Sequence, residues 1–110
     1  MTQNEKLQQA LLAAYDELRS KMLAEKDPAT KTELLKQMGE VNHRIVQVGS
    51  LVFDEDTKAV TDAVANVEKS RDDLKKAIAE IEKLNNVIKT VTAFLGLVDT
   101  AIGLARKVAL

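Results

Sequence analysis

The sequence predicts an all-α domain, and three observations carry that expectation. Aliphatic residues recur at alternating three- and four-residue steps along most of the chain, the spacing that places them on one face of a helix. Only one proline and four glycines interrupt 110 residues. Hydrophobic residues make up 45% of the chain but aromatics only 3%, so the core must be built from Leu, Ile, Val, Ala and Met, the composition of a helical bundle. At this length the chain forms a single domain, 1–110, with room for one core.

The first helix is expected over about 3–26. Thr2 or Asn4 can cap it, with Glu5 in the first turn, where a carboxylate meets the positive end of the helix dipole. Leu7, Leu11, Ala14, Tyr15, Leu18 and Met22 share one arc, while Gln9, Asp16 and Ser20 lie opposite. Asp27-Pro28 then closes one helix and opens another, because a residue before proline avoids helical geometry, Asp caps well and Pro suits the first helical position.

The second helix, about 28–50, has Leu34, Met38, Val41, Ile45, Val48 and Val52 in its arc, flanked by Leu35 and Asn42. So short a junction between the two makes them an antiparallel hairpin. Gly49-Ser50 loosens its end, and Phe53-Asp54-Glu55-Asp56-Thr57 supplies cap candidates and a hydrophobic staple for the next helix.

Beyond Thr57 runs an apolar ladder in two phases. Val60, Val64, Val67, Arg71, Leu74, Ile78 and Ile81 form one stripe; after a three-residue slip, Leu84, Ile88, Val91, Leu95, Val98, Ile102, Ala105 and Ala109 form a second. Val87, Phe94, Leu97, Ala101, Leu104 and Val108 widen the second stripe, leaving a narrow face of Lys89, Thr92, Gly96, Asp99, Gly103 and Arg106. No proline, and no glycine before Gly96, breaks this stretch. Local propensity therefore predicts one long C-terminal helix over about 56–109, straight or bent, on which the hairpin packs. Economy of burial predicts instead a turn at Asn85-Asn86 and a four-helix up-and-down bundle. Continuity is the reading adopted, and it leaves half of an apolar helix to be covered by another copy or a helical partner.

The interface candidates are accordingly Val60, Val64, Val67, Arg71, Leu74, Ile78, Ile81, Leu84, Ile88, Val91, Phe94, Leu95, Val98 and Ile102. Arg71 can lay its stem along the seam and pair across it.

Chemistry has little to stand on. With no cysteine, one histidine and no glycine-rich phosphate loop, neither a nucleophile with its base nor a nucleotide cradle can be assembled, and an enzyme is not expected. Glu40-x-x-His43 has the spacing of a di-metal bundle ligand pair, yet both residues fall away from the core arc and a second such pair is missing. No metal or cofactor is expected. A net charge of -1 and basic pairs without aromatics argue against nucleic acid. The polar start, Met1 to Lys6, leads into an amphipathic helix, which predicts a cytoplasmic protein.

Two functional expectations result. The first is a non-enzymatic helical interaction protein (adaptor, scaffold or small regulatory partner) that buries its apolar C-terminal helix in a self- or hetero-association. The alternative is a membrane-active protein that releases this helix to a lipid surface, since Thr90 to Ala105 carries Asp99 as its one charge.

Overall fold

The computed structural model describes residues 2–51, 57–80 and 84–106, and within them the chain forms four helices of equal length. These are α1 (Gln3–Ala24), α2 (Pro28–Gly49), α3 (Lys58–Ala79) and α4 (Leu84–Ala105). The all-α class and the N-terminal hairpin are as expected from the sequence. The long C-terminal helix is not: α3 ends at Ala79, and α4 begins at Leu84 and packs back along α3. Asn85 and Asn86 stand in the first turn of α4, so the break precedes them. The reason is energetic. A continuous helix saves one pair of caps, whereas doubling back covers two apolar stripes with each other and with the hairpin, at about 1.5 to 3 kcal/mol for each large side chain fully buried.

The boundaries follow local chemistry. Thr2 caps α1 in a reciprocal box: its hydroxyl accepts from the Glu5 amide at 3.0 Å, and the Glu5 carboxylate accepts from the Thr2 amide at 3.1 Å. Asp27 caps α2, accepting from both the amide (3.0 Å) and hydroxyl (2.7 Å) of Thr30, with Pro28 in the first turn. Thr57 caps α3 through the Val60 amide. Val52, the Phe53 staple, Asp54 to Asp56, Ile81, Val108 and Ala109 lie outside the described residues.

Around the bundle the helices are ordered α1, α2, α4, α3, so that α1 touches α2 and α3 while α4 touches α3 and α2. Consecutive helices α2 and α3 therefore occupy opposite corners. α1 and α2 are antiparallel, with Asn4 at the start of α1 donating to the carbonyls of Val48 (3.2 Å) and Leu51 (3.4 Å) at the end of α2. α4 runs parallel to α2, since Arg44 and Asp99, both about three-quarters along their helices, meet side by side. Along α3 and α4, Lys76 and Glu80 border the same cleft as Asn86 and Thr90, an antiparallel arrangement. It follows that α1 and α3 are parallel neighbours.

Leu7, Leu11 and Leu18 of α1, Leu34, Val41 and Val48 of α2, Val60, Val64, Val67 and Leu74 of α3, and Val87, Val91, Phe94 and Val98 of α4 fill the interior. Phe94 is the largest of the fully buried side chains.

Phe94→Ala should lower unfolding free energy by about 3–5 kcal/mol in urea titrations, and Val91→Asp should abolish cooperative folding by placing an unpaired charge in the core. The exposed Leu104→Ala should change stability by less than about 0.5 kcal/mol. A Phe94→Ala cost no larger than that of Leu104→Ala would contradict this packing.

Acid should weaken the two N-terminal caps. Hydrogen bonds from Thr30, its hydroxyl first, hold the Asp27 carboxyl below its ordinary value, and those with Thr2, its backbone first, do the same for Glu5. A carboxylate depressed in the folded state stabilises it at pH above the unfolded value of about 4, and loses that contribution as pH falls through the folded value. Melting temperature should decline on acidification below pH ~4, and the decline should be shallower in Asp27→Ala and Glu5→Gln. An unchanged acid slope in both variants would refute the assignment.

Candidate functional site

The interface candidates read from the sequence lie mostly inside the chain. Val60, Val64, Val67, Leu74, Ile78, Val91, Phe94, Leu95, Val98 and Ile102 are buried among the four helices, and Leu84 and Ile88 are half-buried. Ile81 lies outside the described residues. The partner that covers the ladder is thus the rest of the same molecule. Arg71 is half-exposed beside α1, pairing with its neighbour Asp72 at 3.0 Å and bordering a cleft with Ala13, Glu17 and Lys75.

Two surface features are left. The first is a groove between α2 and α4, the least extensive of the four seams. It has a volume of about 470 Å³ and is lined by His43, Arg44, Gln47, Asp99, Ile102, Gly103 and Arg106. Arg44 sits at its edge with 16% of its side chain exposed. Its Nε and Nη2 donate to the two carboxylate oxygens of Asp99, each at 3.1 Å, while Nη1 donates to Glu40 Oε2 at 2.6 Å and to the Glu40 carbonyl at 3.1 Å. Such a two-pronged pair fixes geometry as well as charge. The Asp99 hydrogen bond, offset by partial burial and helped by Glu40, holds the guanidinium above its already high ordinary pKa. Glu40 is therefore engaged by Arg44, and His43 is exposed. Among the described residues no three His, Asp or Glu side chains converge as metal ligands would.

The second feature is apolar. The large hydrophobic side chains left exposed are Leu12, Leu23, Leu35, Val46 and Leu104, and four of these five belong to the α1–α2 hairpin. At about 100° per residue, helical phase places those four on one face. On α1, Ala13 and Glu17 border α3 and Asn4 reaches α2; Leu12 and Leu23 stand on the α2 side, pointing outward. On α2, Arg44 and Gln47 border α4; Leu35 and Val46 stand on the flank next to α1. Gln8, Tyr15, Gly39 and Asn42 accompany them, and the exposed Asp16 and Arg19 stand between Leu12 and Leu23 along α1.

Sequence reading missed this face because it scored Leu35 as a flank of the α2 core arc and gave Leu12, Leu23 and Val46 no place. The signal was the eleven-residue spacing of Leu12 to Leu23 and of Leu35 to Val46, which returns almost to the same helical angle. Arg44 was missed too, though it stands four residues after Glu40 and opposes the lone acid of the apolar helix.

Arg44→Met and Asp99→Asn should each lower stability by roughly 1 kcal/mol, with a coupling of about 0.5–1 kcal/mol in the double variant. His43→Ala should be silent within about 0.5 kcal/mol. Strict additivity of the first two would show that the pair contributes nothing.

No family model, curated protein or solved structure matches this chain.

Proposed function

We propose that this chain is a non-enzymatic helical interaction protein, an adaptor, scaffold or small regulatory partner, that docks through the outer face of its α1–α2 hairpin. The observation that carries the reading is the gathering of Leu12, Leu23, Leu35 and Val46 on that face. Singly exposed leucines are ordinary, whereas a set aligned along one face marks a surface that binding would remove from water. The ladder expected to associate is sheltered inside the bundle, so docking through it would require the helices to part. The hairpin face needs no such opening.

A second reading rests on α4, which is long and apolar enough to cross a membrane by length and composition. Between Leu84 and Ala105 its charges are Lys89 and Asp99, and Arg44 pairs the latter. Its outward Gly96 and Gly103 have open space where a side chain would stand. In this reading the bundle stores the helix and lipid releases it.

A photo-crosslinking side chain at Leu35 or Val46, in cells making the protein, should trap adducts, and one at Lys69 on the outer face of α3 should trap few. Equal yields from α3, or none from the hairpin, would sink the docking reading. Flotation of the intact protein with anionic liposomes would favour the second.

A further inference from the structure

The seam between α2 and α4 is unlike on its two sides. Arg44 and Gln47 of α2 line the groove, and at steps of three and four residues Glu33, Gln37 and Glu40 continue the same strip of that helix. All five are polar. On α4, Ile102 lines the groove, and Leu84, Ile88 and Leu95 share its strip at steps of four and seven. The helices run parallel with Arg44 beside Asp99, so an equal rise along both sets Glu33 level with Ile88, Glu40 with Leu95 and Gln47 with Ile102. At three levels a polar residue stands opposite an aliphatic one.

Neither side is well served by this match. The polar groups of α2 satisfy one another along their own helix, Gln37 donating to Glu33 at 3.0 Å and Arg44 to Glu40 at 2.6 Å. Toward α4 they offer the aliphatic strip only their stems. Among the described residues, the hydrogen bonds that cross from α2 to α4 are the two from Arg44 to Asp99. The α1–α2, α3–α4 and α1–α3 seams are all more extensive.

We infer that the bundle opens along the α2–α4 seam, as two hairpins that stay joined through α1 and α3, with Arg44 and Asp99 as the latch. Parting there separates the two surfaces that hold each other least, whereas parting at any other seam breaks a broader contact. Local opening follows such boundaries, where few apolar contacts tie one cooperative unit to the next. It bares the Leu84, Ile88, Leu95 and Ile102 edge of α4 while every helix stays wound and α3 keeps its place on the other flank. The use of this motion rests on the lipid-release reading above, for which it supplies the route; the opening itself belongs to the chain alone.

The native chain has no cysteine, so single replacements are clean reporters. Leu95 is buried at the α2–α4 seam, and Val64 is buried seven residues before Arg71, on the side of α3 that borders α1. Under native conditions a thiol reagent should modify Leu95→Cys at least tenfold faster than Val64→Cys and with a shallower dependence on urea, since global unfolding exposes both alike. Ile102→Cys gives a second reading of the same seam. Adding Glu33→Leu/Gln47→Leu, which makes both sides aliphatic, should slow Leu95→Cys at least tenfold, and Asp99→Asn should speed it about threefold or more. Equal rates and urea dependence at the two seams, or a Leu95→Cys rate that the leucine pair leaves unchanged, would overturn the proposal; a rate indifferent to Asp99→Asn would remove the latch.

Vesicles of phosphatidylcholine and phosphatidylglycerol in equal parts test the use. A bis-maleimide staple between Gln47→Cys and Gly103→Cys, across the groove, should stop the chain floating with them, and one between Ala13→Cys and Lys75→Cys, across α1 and α3, should not. Flotation undiminished by the first staple would overturn the opening as the route to lipid. Should labelling reveal the opening while no form floats, the opening stands and the lipid-release reading falls.

Discussion

The need to cover α4 organises this molecule. A helix apolar over most of its circumference cannot face water alone, and one neighbour can shield only one side of it. α3 and α2 flank it, α1 closes the far corner, and Phe94 fills the space between them. What the other helices contribute inward is correspondingly plain: leucine and valine at helical spacing, with few aromatic rings to demand a particular geometry.

One carboxylate complicates that arrangement. Asp99 stands on a helix whose neighbours are otherwise aliphatic or small, at the edge of the thinnest seam. Arg44 answers it from α2 and is itself steadied by Glu40 one turn earlier. The cluster sits where packing is least extensive, so a polar contact joins two helices that apolar contact holds only partly. Half of the Asp99 side chain stays in water, which spares the pair the desolvation cost of a buried one.

Much of this was legible in the residues. Asp27-Pro28 marked the first reversal because both residues act through strong local rules, and Thr57, among the cap candidates, is the cap used. The inward arcs of α1 and α2 were likewise plain from spacing. The second reversal was harder. The three-residue slip between Ile81 and Leu84 resembles a coiled-coil phase defect, and no proline or glycine stands there to signal a stop. Burial, a property of the assembled chain, decided against continuity, and Asn85-Asn86 proved one step too late. The same error turned core residues such as Val91 and Val98 into interface candidates, for a long helix has an outside that a doubled-back one does not. The outward leucines escaped notice for the opposite reason: a search for buried stripes discards whatever falls off them.

The diagonal placement of α2 and α3 bears on how the chain reaches this state. α1 meets α2, and α3 meets α4, through residues close along the polypeptide, so each pair closes only a short loop. Contacts between the two pairs join residues roughly half the chain apart, as Arg44 and Asp99 do. The entropy of loop closure falls mainly on that one event. On topology, then, it is the crossing between the two hairpins, and not the winding of any helix, that carries the larger share of the loop-closure entropy.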